Sequence, residues 1–433
     1  MKIKFICPSW QRLQYQTHYV LPPLGLTVVA ALTPARHEVV LEDENVEPID
    51  FDEPVDLVGI STMLVSQAPR AFEVADAFRA RGVPVVIGGL TASCIPEQAA
   101  KHADAVVVGE AEGIWPALIE DLERGELKPL YRRAEFVDAA EIPRARRELL
   151  KPEHYTYRGV RMMDLIETSR GCRFGCFPCQ VPYVAGKDHR VRDIVEVVDE
   201  MSALECDRVF IVDNALEQNE DHQRALFREM QRARKSWVSH PISAKPDILE
   251  LAAESGCWFV YQAIFGDSEM IREKIKLLHE FGIGVQGTIL LGMDRHGPDI
   301  FERLVEFLLD CELDLAEFTV LTPFPGTPFF EQMKKAGRLL HEDWGEYNAE
   351  NVVFKPAKMT PEQLQEGYQF MWDAFYQDES QPAKMFGLYK RLADRRRFAP
   401  NLGRRETRPI PYQAAGGGAL WGGVVQEHGR TGR

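Results

Sequence analysis

The stretch Glu167–Pro182, ETSRGCRFGCFPCQVP, decides how the rest of this 433-residue chain is read. Cys172, Cys176 and Cys179 lie within eight residues, spaced C-x-x-x-C-x-x-C. Gly171 and Gly175 give the backbone freedom to fold that segment into a tight loop. Three thiolates in one loop form a metal ligand set, and three is the informative number. A structural zinc site closes with four protein ligands, whereas an iron–sulfur cluster held by three cysteines leaves one iron open for another ligand. The competing reading is a zinc knot that recruits His189, ten residues past the last cysteine.

Around the loop the pattern is one of strands and helices. The strand DLIET, from Asp164, delivers the chain to the cysteines. Beyond them come a helix from Ile194 to Leu204 and a strand from Arg208 to Val212 that ends at Asp213-Asn214. A helix from Pro246 to Ser255 is closed by Gly256, in a place suited to a left-handed cap. Further strands are predicted at Trp258–Phe265, Val285–Leu291 and Glu317–Leu321, separated by helices at Glu269–Phe281 and Asp299–Asp310. Such a succession predicts a parallel barrel, complete or partial, with its chemistry at the carboxyl ends of the strands. The cysteine loop follows the first strand, which is such an end. Pro323-Phe324-Pro325-Gly326-Thr327-Pro328 follows the last of these strands and must be a stiff turn, since prolines neither continue a strand nor donate to one.

Residues 1–130 show a second alternation. Strands are predicted at Ile3–Cys7, Glu38–Leu41, Leu57–Ser61, Val83–Ile87 and Ala105–Val108, with helices from Gly25, at Pro69–Arg81 and at Pro96–Ala100. This is the rhythm of a parallel sheet wound with helices on both faces, and ligands on such sheets bind outside the carboxyl ends of the strands. Small and glycine residues fall at those ends, where any fold of this class also needs turns. From residue 124 the text becomes charged, and residues 131–163 read as a surface connection to the barrel at 164–338. Residues 339–400 form a C-terminal extension. In it Thr360 caps a helix with Pro361 at its first position and Gln363 closing a capping box. Leu364, Tyr368, Met371, Trp372, Phe375 and Tyr376 recur at helical spacing and predict a packing face. Residues 401–433 are glycine-rich and predicted disordered, and the basic runs Arg395–Arg397 and Arg404-Arg405 predict a solvated tail.

The formal net charge of −15 argues against non-specific binding to nucleic acid or anionic membrane. No apolar run is long enough to span a bilayer, and the N-terminus lacks the pattern of a signal peptide, so the expected compartment is the cytoplasm. Cys7, Cys94, Cys206, Cys257 and Cys311 are scattered singly among apolar neighbours and read as buried free thiols.

At the residues that define the group, the cysteine loop resembles the radical S-adenosylmethionine enzymes. The phrases PPLGL (22–26), VGIST (58–62), VVIGGLTAS (85–93) and VVVGEAEG (106–113) are similar to the cobalamin-binding domain that precedes the barrel in one large branch of them, and TPFPGTP (322–328) is common in that branch. The resemblance implies an α/β chain: an N-terminal doubly wound, Rossmann-like cobalamin-binding domain, then a partial (β/α)6 TIM-type barrel and a helical extension. It implies a 4Fe-4S cluster on Cys172, Cys176 and Cys179, with S-adenosylmethionine on the open iron. Ser61, Thr62, Gly88, Gly89, Thr91, Gly109 and Glu110 become candidate cobalamin contacts. Phe177, Asp213, Asn214 and Gln262 become candidate contacts of S-adenosylmethionine, with the GTILLG run (287–292) more weakly so. Most members carry an aromatic residue immediately before the third cysteine; here that position is Pro178, and Phe177 comes one earlier. The D-x-H-x-x-G sequence that supplies a histidine to cobalt elsewhere is absent, and His18 and His37 read as surface residues.

By resemblance the expected reaction is methylation of an unactivated carbon of a small molecule through a 5′-deoxyadenosyl radical, fed by an electron donor such as flavodoxin or ferredoxin. Radical cyclisation, rearrangement or sulfur insertion stays open as an alternative, as does a non-catalytic cobalamin or iron–sulfur sensor. Methylthiolating relatives carry three more cysteines in the first domain, where this chain has only Cys7 and Cys94.

Overall fold

A computed structural model of the protein describes residues 1–10, 20–157 and 160–376. His18, the basic runs and the glycine-rich tail lie outside the described residues.

The valine- and isoleucine-rich segments of the first part are buried on both faces and pair only in parallel, as strands covered by helices must. The strands are β1 (Lys2–Cys7), β2 (Glu38–Asp43), β3 (Leu57–Thr62), β4 (Val85–Gly88), β5 (Ala105–Val108) and β6 (Leu130–Arg132). The helices are α1 (Leu24–Leu32), α2 (Ala68–Arg79), α3 (Gly89–Cys94), α4 (Pro96–His102) and α5 (Trp115–Glu123). The sheet order is β2-β1-β3-β4-β5-β6. Strand order therefore reverses between β1 and β3, and at such a switch point a crevice opens outside the carboxyl ends. Two details differ from the sequence reading. The charged stretch taken as pure connection contributes β6, a parallel edge strand, and the turn after β4 is itself a short helix, α3.

The connection carries a small antiparallel pair, β7 (Thr156–Tyr157) and β8 (Val160–Arg161). The second sheet is built from β9 (Asp164–Ile166), β12 (Arg208–Ile211), β13 (Ser236–Ser239), β14 (Cys257–Ile264), β15 (Gly284–Leu291) and β16 (Leu315–Val320), all parallel and in sequence order. Between β9 and β12, β10 (Ser169–Arg170) and β11 (Arg190–Val191) pair antiparallel and form the neck of the cysteine loop, and the short helix α6 (Val181–Val184) follows the last cysteine. Helices α7 (Ile194–Ala203), α8 (Glu220–Met230), α9 (Pro246–Glu254), α10 (Glu269–Glu280) and α11 (Ile300–Asp310) cover one face. Alternate strand residues, among them Val209, Ile211, Val260, Ile264, Ile289 and Phe318, pack into the core beneath them. Fully buried Phe227 stabilises that core by about 2–3 kcal/mol. No pairing between β9 and β16 closes the barrel among the described residues, so it is a six-stranded partial one.

After β16 come α12 (Pro328–Lys335) and α13 (Pro361–Phe375). The Thr360–Gln363 capping box is formed, and Leu364, Tyr368, Met371 and Phe375 are buried against the barrel helices. Tyr376 Oη bonds both the N–H and the carbonyl oxygen of Ala316, at 2.8 and 2.7 Å, which ties the end of α13 to β16. Phe330, Trp344, Tyr347 and Val353 form one apolar cluster with Val65, Ala68 and Ile95, so the segment after the barrel also packs on the first sheet.

Candidate cluster and cofactor site

The cysteine loop leaves the carboxyl end of β9 and is held from the strand beside it. Asp213, just past β12, turns back toward β9: its carboxylate accepts from Thr168 N at 2.6 Å and from the Thr168 and Ser169 hydroxyls at 2.5 Å each. Burial pushes this carboxyl up to about 6, against the downward pull of those hydroxyls. Asn214 Oδ1 accepts from Gly171 N at 3.2 Å. Gln218 does more than either: its Nε2 donates to Gly171 O at 2.9 Å and its Oε1 accepts from Arg173 N at 3.0 Å, one amide bridging both sides of Cys172. Within the loop, Cys172 N donates to Gly186 O and Cys179 N to Cys176 O. Cys172 is buried, Cys179 half-buried and Cys176 exposed. Burial raises the thiols of Cys176 and Cys179 above their usual range.

Among the described residues no three His, Cys, Asp or Glu side chains converge tightly enough to hold one metal ion. A zinc knot needs four donors on one ion, whereas a four-iron cluster takes its thiolates at three different irons and needs them only around a common rim. His189, the zinc alternative's fourth donor, has neither ring nitrogen hydrogen-bonded and stands edge-on to His222, ring centres 5.5 Å apart. Three thiols on one short loop, beside exposed Phe174 and Phe177, fit a cluster.

Of the other residues considered for S-adenosylmethionine, Phe177 is half exposed and packs edge-on against Phe329 at 4.3 Å, and its bond to Pro178 is cis. Asp213 is buried, and both its oxygens are engaged as described. Gln262 shares its strand face with Val260 and Ile264, which belong to the core under the helices; its Nε2 donates to Ala263 O and its buried Oε1 has no partner. Of the GTILLG run, Thr288 and Leu290 alternate with the core residues Ile289 and Leu291.

On the first sheet the candidate cobalamin residues divide into two groups. Thr62 and Thr91 are buried and bonded to each other, Thr91 N donating to Thr62 Oγ1 at 3.0 Å. They brace the start of α3 against the end of β3. A Cβ on Gly89 would meet Ser61 Oγ at 2.7 Å and Thr62 N at 2.9 Å, so only glycine permits that approach. Gly109, with φ +84°, has open space where its Cβ would stand. Ser61, Gly88 and Gly109 remain partly accessible at the crevice, and Met63 and Leu64 project beside them, 56% and 39% exposed. These strand ends, with accessible glycine backbone edged by exposed apolar side chains, suit the close approach of a large flat cofactor. Glu110 takes a different place: it is engaged by Arg170, Arg190 and Val137 N. The expectation for His37 is corrected. It is buried, wedged between the N-terminus and Glu123 at the start of β2, away from the crevice, and burial lowers its pKa.

Comparisons with known proteins converge on the same arrangement. A family model described as B12 binding domain matches residues 16–119. The chain is 28% identical over 372 residues to the bacteriochlorophyllide d C-12(1)-methyltransferase of Chlorobaculum tepidum, covering 80% of each. It is 25% identical to the hopanoid C-2 methylase of Rhodopseudomonas palustris, over 77% of this chain and 68% of that one. Its fold matches that of the radical S-adenosylmethionine methyltransferase TsrM from Kitasatospora setae with a TM-score of 0.66 at 17% identity, over 95% and 93% of the two chains. Two parallel sheets, the first a B12-binding domain and the second a partial barrel with a three-cysteine loop, define the class. In sequence and fold the chain is similar to the cobalamin-binding-domain radical S-adenosylmethionine enzymes.

Proposed function

We propose that this protein is a cobalamin-dependent radical S-adenosylmethionine methyltransferase that methylates an unactivated carbon of a small natural product. The observation that carries the reading is the position of the three-cysteine loop: it leaves the carboxyl end of the first barrel strand and is fastened to the carboxyl end of a B12-binding sheet. Relatives that methylate carbons of a bacteriochlorophyllide and of hopanoids support it. When bound at Cys172, Cys176 and Cys179, a cluster would supply the reductive cleavage of S-adenosylmethionine, and cobalamin would supply the methyl-group chemistry.

This chain's own residues bind and orient. Cys172, Cys176 and Cys179 hold the cluster. Asp213, Asn214 and Gln218 fix the loop that carries them. Ser61, Gly88, Gly89 and Gly109 line the cobalamin crevice, and Met63 and Leu64 give it an apolar edge that excludes water. Phe177, between the second and third cysteines, offers an aromatic surface to an adenine. A one-electron carrier such as flavodoxin or ferredoxin serves as reductant in the cytoplasm. Among the described residues no helix is long and apolar enough to cross a membrane.

Anaerobic reconstitution with iron, sulfide and cobalamin, followed by reductant and S-adenosylmethionine, tests the proposal. The expected products are 5′-deoxyadenosine and S-adenosylhomocysteine. 5′-Deoxyadenosine alone redirects the reading to non-methylating radical chemistry, and neither product from an intact cluster refutes it.

A further inference from the structure

The neck of the cysteine loop carries an arginine on each strand, and both reach across to the first sheet. Arg170 and Arg190 are cross-strand partners in the β10–β11 pair. Arg170 meets Glu110 at 3.1 Å and Glu112 at 2.9 Å, and is gripped from its own side by Glu167 at 2.9 Å. Arg190 meets both oxygens of Glu110 at 2.9 Å and donates to the carbonyls of Val137 and Ala185 at 2.6 Å each. Glu110 also accepts from Val137 N at 2.8 Å, and the Arg190 guanidinium lies over the Phe136 ring at 5.2 Å. The carboxylates of Glu110 and Glu112 are 8% and 4% exposed, the two guanidinia about 15%. Buried fork-shaped pairs of this kind are directional, and removing one partner strands the other's charge.

Glu110 directly follows Gly109, at the crevice edge, and Arg170 lies two residues before Cys172. The clamp therefore joins the turn after β5 of one sheet to the cysteine-bearing loop of the other through the carboxylates of Glu110 and Glu112. A surface ion pair would do neither job, since exposed pairs contribute little and hold no fixed geometry.

The geometry points to Arg170, Arg190, Glu110 and Glu112 as positioning residues that set the separation and orientation of the cobalamin crevice relative to the cluster. This rests on the proposed function, because it needs both cofactors. Glu110 serves it by anchoring the loop neck instead of touching the corrin.

The test uses the full chain loaded with cluster and cobalamin, compared with Glu110→Gln and Arg170→Lys. Both changes keep the bulk of the side chain, and the lysine keeps the charge but not the fork. With the cluster reduced and cobalamin in its paramagnetic cobalt(II) state, the magnetic dipolar interaction between the two spins reports their separation. The wild type is expected to give one narrow distance. The variants, at equal iron and cobalamin content, are expected to spread it, lowering the population at the wild-type distance about fivefold. An unchanged distance distribution in both variants overturns the inference. Hydrogen exchange on the cofactor-free chain gives a second reading: residues 169–171 and 190–192 should exchange faster in both variants, and unaltered exchange there also overturns it. A wild type that takes up no cobalamin, or no cluster, gives no spin pair at all and refutes the proposed function instead.

Discussion

Two glycines of the cysteine loop look equivalent in sequence and are not equivalent in space. Gly171 has φ +88°, and a Cβ built on it would sink into the carbonyl oxygen of Asp188 and stand 3.2 Å from that of Ala185. Gly175 has φ +57° and nothing within 4 Å of the same position. An alanine at either site carries the left-handed penalty of about 1–2 kcal/mol. At position 171 a backbone overlap is added, which no rotamer relieves. The loop has to shift by about 1 Å to regain ordinary contact, at the ~1–3 kcal/mol typical of overpacking. The two variants should thus differ by about 1–3 kcal/mol in the stability of the competent loop, which is roughly fivefold to 150-fold in its population. Moving Gly171 also breaks its bonds to Asn214 and Gln218. Gly171→Ala should therefore reconstitute poorly and lose its cluster quickly to a chelator, while Gly175→Ala holds near the wild-type iron content. The assay is iron and sulfide per chain after anaerobic reconstitution, followed by the rate of loss to the chelator. Equal iron content in the two variants, or a worse result for Gly175→Ala, would refute the reasoning.

Gln218→Ala leaves the Arg173 N–H and the Gly171 carbonyl without their partner, so a loss of about 1–3 kcal/mol is expected, read as a lower melting temperature and a more oxygen-sensitive cluster. Asp213 has its folded pKa raised to about 6 by burial, so the folded state binds the proton more tightly than the unfolded one. Its contribution is full below about pH 4 and is lost as pH rises to about 6, in all roughly 3 kcal/mol. Thermal unfolding of cofactor-free Asp213→Asn across that window should lack this fall, and a parallel pH profile for the two proteins would contradict the assignment. At Gly367 in α13 a Cβ would overlap the Phe301 ring, so Gly367→Ala should destabilise the chain by about 1–3 kcal/mol while leaving iron uptake unchanged.

The reading from sequence succeeded where chemistry is local. The Thr360–Gln363 cap and the runs of valine and isoleucine each act through neighbours within a few residues. It failed where partners are distant. The strand Ser236–Ser239 went unassigned because SWVS is short and half polar, and its identity comes from the strands on either side. The strand Leu130–Arg132 hid among charges that an edge strand tolerates. Glu110 reads in sequence only as a residue after a glycine at a strand end; its ion-pair partners, Arg170 and Arg190, are 60 and 80 positions away. Gln218 gave no signal, since a glutamine in a polar turn is unremarkable until the loop it bridges, 45 and 47 positions earlier, is in view. A helpful cue would have been that the residues after β12 follow the strand next to the cysteine loop and are placed to hold it.

The proline-rich turn after the sixth barrel strand bears on how the chain is made. Gln180, next to the third cysteine, donates from Nε2 to Pro325 O at 3.1 Å and to Cys94 Sγ at 3.3 Å, and Gly326, at φ +77°, lies against the Cys94 backbone. Three segments some 85 and 145 residues apart meet at one amide. On the ribosome the first sheet is complete once about Arg132 has emerged, but the loop beside it stays open on one side until the sixth strand and its turn arrive. Contacts of such long sequence separation form late. This side of the cysteine loop is therefore the last part of the site to be enclosed, once about three-quarters of the chain has been translated.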